Sequence, residues 1–207
     1  MALPSMQIPT EEQVRPITFD EYRALPDDGS RYELIYGELL MMPSPKAIHQ
    51  FVVGELFTAL RDHAKQARLG VALFAPYDVR LSGYNAVQPD ILFFSAARTQ
   101  SLGPDFARGI PDLVVEVLSP SNRRLDLIVK RALYAASGIP EYWIVDPDKR
   151  TISVNVLEGA HYVDSVFAQG PLVSLIFSGI VIDFETMFEM PEWLLSPAMN
   201  EEDEPTT

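Results

Sequence analysis

Apolar residues recur at helical spacing in two stretches of this chain, and at strand spacing or in unbroken runs through much of the rest. Between residues 46 and 67, Ile48, Val52, Leu56, Ala59, Leu60 and Ala64 share one helical face, and Gly70 stops the pattern. Ser119-Pro120-Ser121-Asn122 opens a second helix with the predicted buried stripe Leu125, Ile128, Val129, Ala132, Leu133 and Ala136, closed by Gly138 and Pro140. Thr18, followed three residues on by Glu21, reads as a capping box that starts a short helix. Strands are predicted as a hairpin over 32–42 bent near Gly37, then over 71–81, 86–94, 112–118 and 142–145, as a hairpin over 151–157 and 162–167, and last over 180–184. The order fits an α/β fold, a mixed sheet flanked by helices.

The ends lack this patterning. Residues 1–16 read as a flexible N-terminus, 17–195 as a single domain and 196–207 as an acidic flexible tail. The chain has 207 residues, 47% of them hydrophobic, which is enough for one real core. It has no cysteine, so disulfides, thiolate metal sites and cysteine nucleophiles are excluded. Without a signal-peptide pattern or an apolar run long enough to span a bilayer, a cytoplasmic protein with no membrane partner is expected. The net charge of −13 limits contact with nucleic acid to weak or local patches. The tail acids Glu201, Glu202, Asp203 and Glu204 account for only part of that charge.

Two acids stand out against this background. Asp90 lies in Ala86-Val87-Gln88-Pro89-Asp90-Ile91-Leu92-Phe93-Phe94, and Glu116 in Asp112-Leu113-Val114-Val115-Glu116-Val117-Leu118. A lone carboxylate in an apolar run is costly to bury, so each needs a cation, hydrogen bonds or a raised pKa. Shared on neighbouring strand ends, with the Val117 carbonyl as a third ligand, they could hold one divalent ion such as Mg²⁺ or Mn²⁺ for phosphodiester hydrolysis. The following helix carries Lys130, an ammonium that could hold the attacking water and offset developing charge. Lys130 can equally be an i,i+4 partner of Asp126 on a solvated helix face.

Pro89-Asp90, Glu116-Val117-Leu118-Ser119-Pro120-Ser121 and the stretch from Asp126 to Lys130 resemble the PD-(D/E)XK nuclease superfamily, and within it the bacterial restriction-endonuclease family of the Uma type. Tyr32-Glu33-Leu34-Ile35-Tyr36-Gly37-Glu38-Leu39, His49-Gln50 and Gly138-Ile139-Pro140-Glu141-Tyr142-Trp143-Ile144-Val145-Asp146-Pro147 extend the likeness over about residues 18–185. The resemblance implies a restriction-endonuclease-like mixed β-sheet flanked by helices, and Mg²⁺-dependent cleavage of DNA with Asp90 and Glu116 as ligands. Leu118 stands where the superfamily pattern has lysine, and the resemblance moves that role to Lys130. An accessory acid from an early element is also implied, with Glu38 preferred to Glu33. His49 could orient a water, a phosphate or Glu38. Cutting both strands would call for a homodimer. A catalytically silent interaction or nucleic-acid-binding module is the alternative, motivated by the acidity and by Leu118. Hydrolysis of a small phosphorylated metabolite is a third reading, though no glycine-rich phosphate loop is present.

Overall fold

The computed structural model describes residues 15–191; the expected flexible segments, 1–14 of the N-terminus and the acidic tail, lie outside the described residues. The chain begins with α1 (Phe19–Arg23), capped by Thr18 in the predicted capping box with Glu21. The hairpin β1 (Arg31–Ile35) and β2 (Glu38–Met42) follows, turning through Tyr36-Gly37. The helix α2 (Ala47–Ala67) buries the expected stripe Val52, Leu56, Leu60 and Ala64. Its end passes through the left-handed Arg68 to Gly70.

Two predicted strands divide where a proline interrupts the amide ladder. The run over 71–81 becomes β3 (Gly70–Phe74) and β4 (Asp78–Arg80) on either side of Pro76, and the two lie in different sheets. The run over 86–94 becomes β5 (Ala86–Val87) and β6 (Ile91–Ser95), with Pro89-Asp90 between them. Next come β7 (Phe106–Ala107) and β8 (Leu113–Val117). A π-helical segment (Leu125–Lys130) leads directly into α3 (Arg131–Ser137). The remaining elements are β9 (Glu141–Asp146), the hairpin β10 (Thr151–Glu158) and β11 (His161–Phe167), and α4 (Phe184–Met187).

The strands form a five-stranded sheet, ordered β2-β1-β5-β4-β7, and a six-stranded sheet, ordered β11-β10-β9-β8-β6-β3. Both are mixed: β8 and β9 are parallel, as are β4 and β7, while the other pairs are antiparallel. One face of the larger sheet packs against α2 through Phe93, Val115, Trp143 and Leu56. The other face meets α3 through Val114, Tyr142, Leu133 and Tyr134. Burying each such side chain contributes about 1.5–3 kcal/mol, so the alternation along β8 fixes which residue faces which helix. No helix among the described residues is long and apolar enough to cross a membrane.

The strand expected over 180–184 is absent. Ile180 and Ile182 are buried against the α2 side of the core, but they lie in irregular chain, and Asp183 caps α4 by accepting from the amides of Glu185 and Thr186. The buried stripe predicted for the second helix also fails in part. Ile128 is 59% exposed, and Ala132 and Ala136 are exposed, whereas Asp126, Lys130 and Tyr134 are buried. The wider π turn shifts the phase of the helix, and the polar flank faces the sheet.

Candidate active site

A pocket of about 190 Å³ lies where the two sheets approach each other. Each wall follows from the topology. Asp90 occupies the break between β5 of the smaller sheet and β6 of the larger. Glu116 shares strand parity with Val114 and therefore faces the helix side of β8. His49 comes from the first turn of α2, and Asp126 and Lys130 from the π segment.

Asp90 and Glu116 thus line the same pocket. Oδ2 of Asp90 accepts from the Val117 amide at 2.8 Å and lies 3.1 Å from Nε2 of His49. Oε1 of Glu116 accepts from Lys130 Nζ at 2.9 Å and from the Tyr134 hydroxyl at 2.6 Å. Among the described residues the second oxygens, Oδ1 of Asp90 and Oε2 of Glu116, make no hydrogen bond, and neither carboxylate pairs with an arginine.

Lys130 is 2% exposed and is held by three acids: Glu116, Glu33 at 3.0 Å and Asp126 at 3.6 Å. The solvated helix face considered from sequence is therefore not where it lies. Burial alone would lower its pKa, but Glu116, Glu33 and Asp126 raise it well above the ordinary lysine value. Glu116 is pushed well above the carboxylate range by burial, against the pull of Lys130. Asp126 is pushed up to about 6 for the same reason. His49 loses basicity to burial and regains more from Asp90 and the Val117 carbonyl, for a net rise.

Of the two early acids, the structure brings Glu33, and not the preferred Glu38, to Lys130. Glu33 is 1% exposed, and its Oε1 accepts from the Gln88 amide at 2.8 Å as well as facing Lys130. Glu38 pairs with Ile35 beside the Tyr36-Gly37 turn, at the opposite end of the hairpin from the pocket-lining Arg31 and Met42, and is exposed. His49 likewise meets Asp90 rather than Glu38. The sequence reading missed Tyr134 and gave Asp126 only a pairing role. Their i,i+4 spacing around Lys130 was the available signal.

Among the described residues no group of three or more histidine or acidic side chains is set to hold a metal ion. The donor set still fits one divalent ion. Glu33 Oε2 and Asp126 Oδ1 are buried without a hydrogen-bond partner, and Asp90, Glu116 and Asp126 line the pocket with Glu33 behind Lys130. Arg31 and Lys46 stand at the rim with the first turn of α2, which contains no acid and no side-chain cap. The pocket therefore has an acidic floor below a cationic mouth.

A family model described as "Putative restriction endonuclease", Uma2, matches residues 19–185. The chain belongs to the Uma2 family. The Uma2 match spans every element from α1 to the start of α4, including all the pocket-lining residues. A solved structure, that of a "putative nuclease belonging to DUF820" from Anabaena variabilis, is similar with a TM-score of 0.70 at 23% identity, covering 86% of this chain and 99% of that one. The likeness is one of fold. No curated protein matches this Uma2 chain.

Proposed function

We propose that this nuclease-family protein is a metal-dependent endonuclease hydrolysing phosphodiester bonds of DNA. The observation that carries the reading is the meeting of Asp90 and Glu116 in one pocket, each with an oxygen that makes no hydrogen bond among the described residues, below a cationic rim. Mg²⁺ commonly takes one or two carboxylates and keeps several waters, so a three-acid cage is not required. Asp90, Glu116 and the Val117 carbonyl would hold Mg²⁺ or Mn²⁺. When bound, the ion would neutralise phosphoryl oxygens and lower the pKa of water.

The protein groups have separable tasks. His49 holds Oδ2 of Asp90 and leaves Oδ1 for ligation. Lys130 and Tyr134 hold Oε1 of Glu116 and leave Oε2. Glu33 is the accessory acid, fixing the Lys130 ammonium from the other side. Arg31, Lys46 and the start of α2 would meet the non-bridging oxygens of the substrate. The order Pro89-Asp90, Glu116, Lys130 is that of a PD-(D/E)XK site whose lysine has moved to the following helix. Cleavage of both strands would bring two copies together, measurable as a dimer by gel filtration.

Incubation with single- and double-stranded DNA and Mg²⁺ or Mn²⁺ tests the reading. Wild type should cleave and Asp90→Ala should not. Cleavage that survives Asp90→Ala would belong to a contaminant and would refute the assignment. Absence of Mn²⁺ binding at millimolar concentration would favour the catalytically silent module.

A further inference from the structure

The chain is strongly acidic, yet four arginines lie along one path out of the candidate pocket. Arg31 and Gln88 line that pocket and also line an adjoining depression that contains Arg23. Arg23 in turn lines an open groove of about 590 Å³ together with Arg80 and Arg108. Each concavity thus shares at least one wall residue with the next. A polar run follows the same line: Arg31 Nε donates to Gln88 Oε1 at 3.3 Å, Gln88 Nε2 donates to Asp78 Oδ1 at 3.0 Å, and Arg23 lies 3.4 Å from Asp78 Oδ2.

At the far end the guanidinium groups are fixed by aromatic faces. Arg80 stacks over Phe19 at 4.8 Å, and Arg108 and Arg23 lie over Phe106 at 5.0 and 5.5 Å. Phe19 and Phe106 pack edge to face at 5.0 Å. A stacked guanidinium keeps its N–H fork free and loses less side-chain freedom when it meets an anion. Arg80 and Arg108 are exposed, and neither pairs with an acid among the described residues. Asp78 offsets Arg23, and Asp20 is the acid lining the groove. Like charges gathered in this way on an acidic protein favour a polyanion.

Resting on the nuclease reading above, we infer that this track binds the phosphodiester backbone of the nucleic-acid strand to one side of the scissile phosphate. Arg31 meets the phosphates nearest the cut, and Arg80 and Arg108 those farthest from it. A strand seated in the pocket must leave it on some side, and this side offers consecutive cations. The track also reconciles the net charge with the substrate, because the positive surface is local and joined to the site.

Oligonucleotide binding in EDTA, measured by fluorescence anisotropy across a salt series, separates this inference from catalysis. Arg80→Gln/Arg108→Gln should weaken binding about ten-fold or more and reduce the slope of log K against log salt by about 1.4 for a single strand. Arg61→Gln, which removes another exposed arginine stacked on a ring (Phe57, 5.8 Å), should leave both unchanged. Arg108→Glu gives the same test if the double variant fails to fold. Wild-type affinity and slope in the folded track variants would overturn the inference, even if Asp90→Asn abolishes cleavage. Equal displacement of the oligonucleotide by poly-glutamate would overturn it too, by showing an acidic-peptide site. Arginine-dependent binding by a wild type that cleaves in no metal would support the track and refute the hydrolytic reading instead.

Discussion

The hydroxyl of Tyr134 lies 2.6 Å from Oε1 of Glu116, in a fully buried hydrogen bond to the same oxygen that accepts from Lys130. The phenol reaches Glu116 because the π segment turns the Asp126, Lys130 and Tyr134 flank onto the sheet. Tyr134→Phe keeps the ring packing against Tyr142 and removes only this donor. It should destabilise the fold by about 1–3 kcal/mol, the cost of removing one partner of a buried hydrogen bond. Urea unfolding at unchanged m-value would measure this. No change in the midpoint would mean the bond makes no net contribution.

Lys130→Met should be far more damaging. It leaves Glu33, Glu116 and Asp126 facing one another without a cation, and breaking a buried pair from one side costs about 3–5 kcal/mol. The loss should shrink at pH 5, below the raised pKa of about 6 at Asp126, and shrink again in Lys130→Met/Glu33→Gln. A deficit independent of pH would mean that packing of the lysine stem, and not its charge, dominates.

Tyr134 is not singled out by apolar periodicity, for a definable reason. Apolar periodicity finds α2 well because its stripe is apolar and regular: Val52, Leu56, Leu60 and Ala64 are all buried. The same rule misreads the second helix. Its sheet-facing positions carry Asp126, Lys130 and Tyr134, and the π turn displaces the phase by an amount that composition does not encode. Asp90 and Glu116 were legible as costly charges in apolar runs, and their shared pocket follows from strand pairing across the two sheets. Local sequence sets Glu38 beside the predicted bend at Gly37 and Glu33 within the strand, but the contact of Glu33 with Lys130 comes only from the packing of the helical segment on the hairpin.

That distinction is testable on activity. Glu33→Gln removes one of the charges that fix Lys130 and should lower kcat with little effect on KM, since the residue does not line the pocket. Glu38→Gln should behave as wild type. The reverse pattern would return the accessory role to Glu38.

Stability of the metal-free protein should fall as pH rises through the range of Asp126. Burial raises this pKa from 3.8 to about 6, so the folded state binds more protons than the unfolded state between those values. The stabilising contribution is complete below about 4 and is lost as pH rises through about 6. Glu116, also raised by burial, adds a loss of the same sign. Exposed acids with lowered pKa, such as Glu21 at about 2 through its contact with Arg15, act oppositely and only at lower pH. Thermal melts should therefore peak in mild acid. Asp126→Asn should raise Tm at pH 7.5 and flatten the decline between pH 4 and 6; an unchanged profile would reject the burial argument.

Metal binding should release protons, because the ion requires ionised oxygens and burial holds the Glu116 proton above the usual carboxylate range. Calorimetric titration with Mn²⁺ in two buffers of different ionisation enthalpy counts those protons. Wild type should show apparent affinity rising with pH and a proton release that declines as pH rises. Glu116→Gln should bind weakly and release fewer protons, while Lys130, whose raised pKa keeps it charged throughout, should not contribute. The ion should also stabilise the fold by about 2.7 kcal/mol when present at a hundred times its Kd. Tight binding with no proton release, unaltered in Glu116→Gln, would place the ion somewhere other than beside Glu116.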